Sequence, residues 1–273
     1  MTHEAPTTWL SELRDQGRIV FRIGRRGDDL VAEFCSLGTL LASSRGHQAR
    51  FEPNSRADAQ AVEKLRASVI QGLIRHAQGK LTLHGGAVGL RSCAVALVGP
   101  SRSGKSLLVT ALCADSDMQL VADDTVAVEL AGPEQGYAVE ALPSQGTTWL
   151  LPEARSVLGF SGAGAGKKPI ELTVSESSRL SLRAVVSLVF GDDPKPHLRR
   201  LRGQQAFSML SSSLIRFIVD DPVAQQREFD QLRALARTCG VFELSRPWDL
   251  TKLGGSVRLI RDLLASFDVS EAV

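Results

Sequence analysis

Two kinds of hydrophobic pattern divide the chain. Its first quarter alternates apolar and polar positions, while its middle carries short, continuous apolar runs set off by glycine. Residues 94–98 (Ala94, Val95, Ala96, Leu97, Val98) have the length and character of a buried parallel strand, and residues 106–113 follow as the opening turns of a buried helix. Residues 118–122 predict a further short buried strand, and residues 184–190, apolar and rich in valine, a central one. Residues 83–88 hold His84, Gly85 and Gly86 and then turn apolar, which predicts a strand pairing beside 94–98. Alternation over 18–23 and 30–37, and again over 40–45 and 49–52, predicts paired short strands. Residues 125–130 and 137–142 read as a strand, turn and strand.

Helical spacing appears elsewhere. Residues 8–16 predict a short lead-in helix. A longer helix is expected over 57–77, capped by Ser55 or Asn54, with Ala61, Leu65, Val69, Ile70, Leu73 and Ile74 on one stripe. Residues 204–214 and 222–238 predict two more, the second with Phe229, Leu232, Leu235 and Ala236 facing inward. Residues 197–202 predict an edge strand, 241–244 a short strand and 250–267 a closing helix. The fold class is therefore α/β. A small β-rich region with a linking helix is expected over residues 1–78, and the main domain over 79–273.

The turn between the 94–98 strand and its helix carries the chemistry. Gly99, Pro100, Ser101, Arg102, Ser103, Gly104, Lys105 and Ser106, followed by Leu107, spell G-x-x-x-x-G-K-[ST] between a strand and a helix. Successive backbone N–H groups in such a loop wrap an anion, and Gly99 and Gly104 stand where a Cβ would intrude. The following helix points its positive end at the same place. Lys105 supplies a charge for β- and γ-phosphates, and Ser106 a hydroxyl for Mg²⁺. The 118–122 strand ends in Asp123 and Asp124, carboxylates that can hold a metal or orient a nucleophile beside such a loop. Adjacent strand residues face opposite ways, so the pair is expected to divide two roles.

A His-Gly hairpin, then G-x-S-x-x-G-K-S, then L-V-A-D-D resembles the catalytic core of the HPr kinase/phosphorylase family and its bacterial peptide-serine-kinase relatives, some of which act in lasso-peptide biosynthesis. The resemblance is tight over about fifty residues and looser beyond. It implies a P-loop kinase core of the HPr kinase/phosphoenolpyruvate carboxykinase type with a mixed sheet. It implies ATP and Mg²⁺ as cofactors and a serine-bearing peptide or small protein as partner, a lasso-peptide precursor among them. By the same carry-over His84 is the active-site histidine, Lys105 the phosphate lysine and Ser106 a metal ligand. Asp123 is the base for the substrate hydroxyl, and Asp124 its acidic neighbour in the metal shell. The parent family forms hexamers, which leaves a homo-oligomer open. The family's E-I-R-G-x-G stretch is absent downstream, Arg102 stands where many members have a small residue, and Glu140 is the nearby candidate for a further metal-binding glutamate.

Composition narrows the alternatives. A net charge of +2 points to neither nucleic acid nor membrane as partner, and the four scattered cysteines, with no C-x-x-C pair, read as reduced core thiols. No secretory signal or apolar span precedes the main domain, which predicts a cytoplasmic chain. The glycine-rich stretch 160–168 does not run from strand to helix, so it is no dinucleotide fingerprint; a lid carrying Lys167 and Lys168 is one reading and a plain surface loop the other. Arg216, between two predicted helices, is a cation without an assigned place. Two alternatives to peptide phosphorylation stand open: a nucleotide-binding regulator without transfer chemistry, and a kinase for a small-molecule hydroxyl.

Overall fold

The computed structural model describes residues 6–43, 46–114, 117–132, 136–140, 146–160, 168–177, 179–217 and 222–268. The chain divides into two units, one formed by Met1–Thr82 with Ile215–Phe229, the other by Leu83–Leu214 with Asp230–Val273.

The first unit opens with an antiparallel meander of β1 (Thr8–Asp15), β2 (Arg18–Arg26), β3 (Asp29–Phe34), β4 (Gly38–Ala42) and β5 (Ala49–Pro53), in that spatial order. The first of these corrects the expected lead-in helix. Gln16 and Gly17 both adopt positive φ, 47° and 79°, which is the two-residue turn that returns one strand beside another. Asp15 consequently pairs with Arg18, Thr8 pairs with Arg25, and the Arg22 guanidinium lies 4.0 Å from the Trp9 ring centroid. The alternating residues Ile23, Leu30, Ala32, Phe34, Leu40 and Ala42 point to one face and pack with Leu65, Ile70 and Leu73. Those last three come from α1 (Ala59–Leu65), a π-helical turn (Arg66–Ile70) and α2 (Gln71–Ala77). The helix starts later than expected: its cap is Asp58, whose carboxylate accepts from the Ala61 N–H at 2.8 Å, and neither Asn54 nor Ser55 fills that place. Arg216 belongs to this unit and is ion-paired with Glu228 at 2.7 Å.

The second unit is built on an eight-stranded mixed sheet. Its elements are β6 (Leu81–Leu90), β7 (Cys93–Val98), α3 (Lys105–Ala114), β8 (Gln119–Ala122), β9 (Thr125–Gly132), β10 (Gly136–Glu140), β11 (Thr147–Leu150), α4 (Pro152–Val157), β12 (Lys168–Glu171), β13 (Arg179–Phe190), β14 (His197–Arg200), α5 (Gly203–Ser212), α6 (Pro222–Thr238), β15 (Gly240–Arg246), a 3₁₀ turn (Leu250–Lys252) and α7 (Leu253–Asp268). The α6 helix begins in the first unit and ends in the second. The strand order is β10-β9-β6-β7-β13-β15-β14, with β8 on β6 and β11 paired with β12 apart. At its centre β7, β13 and β15 run parallel, while β6 and β14 lie antiparallel to their neighbours. Burial on both faces explains why the central strands read as unbroken apolar runs. Val95, Leu97, Val186, Leu188 and Leu244 share one cluster with Leu108 and Leu112 of α3 and Ile260 and Leu264 of α7. On α6, Leu232 and Leu235 are buried, but Phe229, expected on the same stripe, is 46% exposed. Among the described residues no helix is long and apolar enough to cross a membrane.

Candidate functional site

The loop of residues 99–106 leaves the C-terminal end of β7 and enters α3. Gly99 has φ +139°, and a Cβ there would lie 2.8 Å from the Leu188 carbonyl oxygen; Gly104 has φ +83°. Both glycines are therefore required by backbone conformation as well as by space. Between them Pro100, Ser101 and Arg102 are exposed, Arg102 in the left-handed region at φ +66°, while Ser103 is buried. The Ser103 hydroxyl is buried with no hydrogen-bond partner. The Lys105 ammonium lies back over its own loop, donating to the carbonyls of Gly99 at 2.8 Å and Pro100 at 3.0 Å. Leu107 turns into the core and anchors the first turn of α3.

The acidic pair lies directly after β8. The Ser106 hydroxyl donates to Asp123 Oδ1 at 3.2 Å, and the Thr148 hydroxyl donates to Asp123 Oδ2 at 2.6 Å. Asp123 is 9% exposed. Burial raises its carboxyl above the ordinary value and outweighs the Thr148 bond that lowers it; the charge of Asp124 raises it further, and the Ser106 bond opposes. The glycines after His84 answer to close packing around β6. A Cβ on Gly86 would lie 2.7 Å from the Val109 side chain and 3.4 Å from Asp123 Oδ1, and one on Gly85 would lie 2.3 Å from the Leu97 carbonyl oxygen.

Asp124 faces the other way. It adopts φ +68°, and the Thr125 N–H donates to the Asp123 carbonyl at 2.9 Å, so the chain kinks tightly between β8 and β9 at this point without reversing. His84 Nδ1 is 3.1 Å from the Asp124 carbonyl oxygen and 3.7 Å from its carboxylate Oδ1, and the two side chains are 45% and 54% exposed. The backbone fixes this arrangement, because the His84 N–H donates to the Ser213 carbonyl and the Gly85 N–H to the Asp124 carbonyl.

The structure thus gathers His84, Lys105, Ser106, Asp123 and Asp124 around one loop, but divides the aspartates differently from the sequence expectation. Asp123, expected toward an incoming alcohol, is buried with both oxygens engaged by hydroxyls. Asp124, expected in the metal shell, stands in solvent beside His84. Thr148 was not among the expected site residues. The signal for it lay in Thr147 and Thr148, at the start of a strand too short to recognise; β11 turns Thr148 and Leu150 inward together. Lys168 begins β12, while residues 161–167, Lys167 among them, lie outside the described residues. Glu140 ends β10, and its side chain lies outside the described residues, as does most of the turn that follows.

Structural comparison finds a weak similarity to the Hpr(Ser) kinase/phosphatase from Coxiella burnetii, with a TM-score of 0.36 and 15% sequence identity over 68% of this chain and 98% of that one. No protein-family model matches the chain, and no curated protein matches it.

Proposed function

We propose that the second unit is a phosphotransferase that binds ATP with Mg²⁺ at residues 99–106 and passes the γ-phosphoryl group to a serine-type hydroxyl of a peptide or small protein. The observation that carries this reading is the meeting of Ser106 with Asp123 at 3.2 Å, beside a glycine cradle, while Asp124 and His84 stand together in solvent. The cradle suits an anion: two glycines that a Cβ would disturb, a buried Ser103 hydroxyl awaiting a partner, and a helix N-terminus. Among the described residues no cluster of three or more His, Cys, Asp or Glu forms a ready metal cage. That agrees with Mg²⁺, which keeps waters and phosphate oxygens and takes one or two protein ligands. Ser106 and Asp123 would supply them, and the bound ion would offset charge on the phosphates.

The roles of the two aspartates are exchanged in this reading. Asp123 belongs to the metal, and Asp124 orients and deprotonates the acceptor. The acceptor oxygen forms a bond to the γ-phosphorus as the bond from that phosphorus to the β–γ bridging oxygen breaks. ADP leaves, and the hydroxyl proton passes to the Asp124 carboxylate. His84 holds that carboxylate in place, and Lys105 exchanges its two carbonyl bonds for phosphate oxygens. Positioning and fixed charge supply the rate in such a scheme. The acceptor class rests on the family resemblance, with a lasso-peptide precursor as one instance.

The test is incubation with γ-labelled ATP, Mg²⁺ and serine-containing peptides, with alanine-substituted peptides as controls. Covalent label on the serine peptide, absent with the Asp124→Asn variant, is the expected result. Label retained only as bound ATP across all hydroxyl acceptors would overturn the reading in favour of a nucleotide-binding regulator.

A further inference from the structure

The three adjacent parallel strands β7, β13 and β15 end on one side of the sheet. Val98 pairs with Ser187, and Phe190 pairs with Arg246, so the ends of β13 and β15 stand level with each other beside the loop. Ligands of open α/β sheets bind outside such carboxyl ends. Arg246 is 4% exposed and lies against the loop. Its Nη2 donates to the Ser103 carbonyl at 2.5 Å, and a Cβ on Gly104 would lie 2.1 Å from that same nitrogen. On its other side the guanidinium carbon lies 5.0 Å from the centroid of the Phe190 ring. Phe190 in turn packs against Trp248, with centroids 4.1 Å apart and planes inclined by 50°.

A continuous column of Ser103 carbonyl, guanidinium, phenyl and indole therefore leads from the loop out to solvent. Its outer end is unusual for this chain. Only 5% of its residues are aromatic, yet Phe190 is 38% exposed, and Trp248, at 71%, is the most exposed large apolar side chain among the described residues. Burial elsewhere would stabilise both rings. With Phe190 backed by Arg246, which itself bonds the loop, the exposed indole offers a π face on the loop side of the sheet.

We infer that Phe190 and Trp248 form the stacking platform for the base of the nucleotide bound at residues 99–106, with a purine favoured because its two rings overlap the indole most fully. This rests on the phosphate-loop reading above, and Arg246 acts as the positioning residue that ties base platform to loop.

Titrations of the full chain with ATP and with inorganic tripolyphosphate, each with Mg²⁺, separate the two readings. Stacking of one base on an aromatic ring corresponds to roughly a five- to hundred-fold gain in affinity. ATP is therefore expected to bind more tightly than tripolyphosphate by that factor. Trp248→Ala should erase the difference while leaving tripolyphosphate binding unchanged, and Trp248→Phe should keep most of it. In a Trp9→Phe/Trp149→Phe background, where Trp248 is the remaining indole, fluorescence should fall on adding ATP and stay constant with tripolyphosphate. An unchanged ATP to tripolyphosphate ratio in Trp248→Ala would overturn the platform while sparing the loop. ATP binding that depends on Trp248 but not on Lys105, with no tripolyphosphate binding, would overturn the loop and spare the platform.

Discussion

Replacing Thr148 by valine removes one oxygen from a fully buried position and leaves the rest of the side chain in place. The lost bond is the 2.6 Å one to Asp123 Oδ2, on a buried carboxyl that the proposed metal-ligand role requires as an anion. A hydrogen bond to a charged group contributes about 1.5–3 kcal/mol, and the methyl that replaces the hydroxyl returns about 0.8 kcal/mol of apolar burial, so the net loss near neutral pH is about 1–2 kcal/mol. The sign with pH follows from the direction of the Asp123 shift. Its folded carboxyl titrates above the ordinary 3.8, so its ionisation withdraws stability as pH rises from 3.8 through the folded value. Thr148 limits that withdrawal by favouring the anion. Without it the folded value climbs further and more is withdrawn, whereas in acid, with the carboxyl protonated in both proteins, the deficit shrinks. Urea denaturation of wild type and Thr148→Val, followed by tryptophan fluorescence at several pH values between 4 and neutrality on the order of one unit apart, reads this directly. A deficit that is the same at every pH, or below about 0.5 kcal/mol at neutrality, would refute an ionised Asp123 bonded to Thr148.

Other consequences can be measured as readily. Lys105→Ala should lower phosphoryl transfer by about a hundred-fold or more, the size expected for one fixed charge at a reacting phosphate, with an unchanged circular dichroism spectrum; turnover within a few-fold of wild type would contradict the role. Gly104→Ala places a left-handed alanine against the Arg246 guanidinium, at a combined cost of about 3–5 kcal/mol from backbone strain and a displaced charged hydrogen bond, readable in the same urea assay. Native thiol titration at pH 8 should find Cys35 alone reactive, since it is exposed, Cys93 is buried, and burial pushes the Cys113 and Cys239 thiols each up to about 12. Fast labelling of two or more thiols in the folded protein would contradict that packing.

What the sequence made legible follows from which signals are local. The loop of residues 99–106, the strand before it and the helix after it are set by glycine spacing and an unbroken apolar run, and both appear where expected. The same holds for β13, whose valines can only be satisfied between two strands. The first strand carries a helix-like signal because Trp9, Leu10 and Leu13 also suit a helix; the deciding feature is the tight turn at Gln16 and Gly17, with Arg22 over Trp9. In the site, Asp123 and Asp124 were recognisable as a pair, but which of them turns inward depends on tertiary partners. Thr148 arrives from a strand 25 residues away, and Asp124 takes a positive φ that no local rule demanded. Arg246 was silent for the same reason: its partners, Ser103 and Phe190, are brought to it by strand order alone.

The division of labour between the two aspartates is tested most directly by the Mg²⁺ dependence of ATP binding in Asp123→Asn and Asp124→Asn, measured calorimetrically beside transfer of labelled phosphate. Asp123→Asn is expected to bind ATP equally with and without Mg²⁺. Asp124→Asn should bind it with the wild-type Mg²⁺ dependence and transfer nothing. Loss of the Mg²⁺ effect in Asp124→Asn, with its retention in Asp123→Asn, would contradict the account.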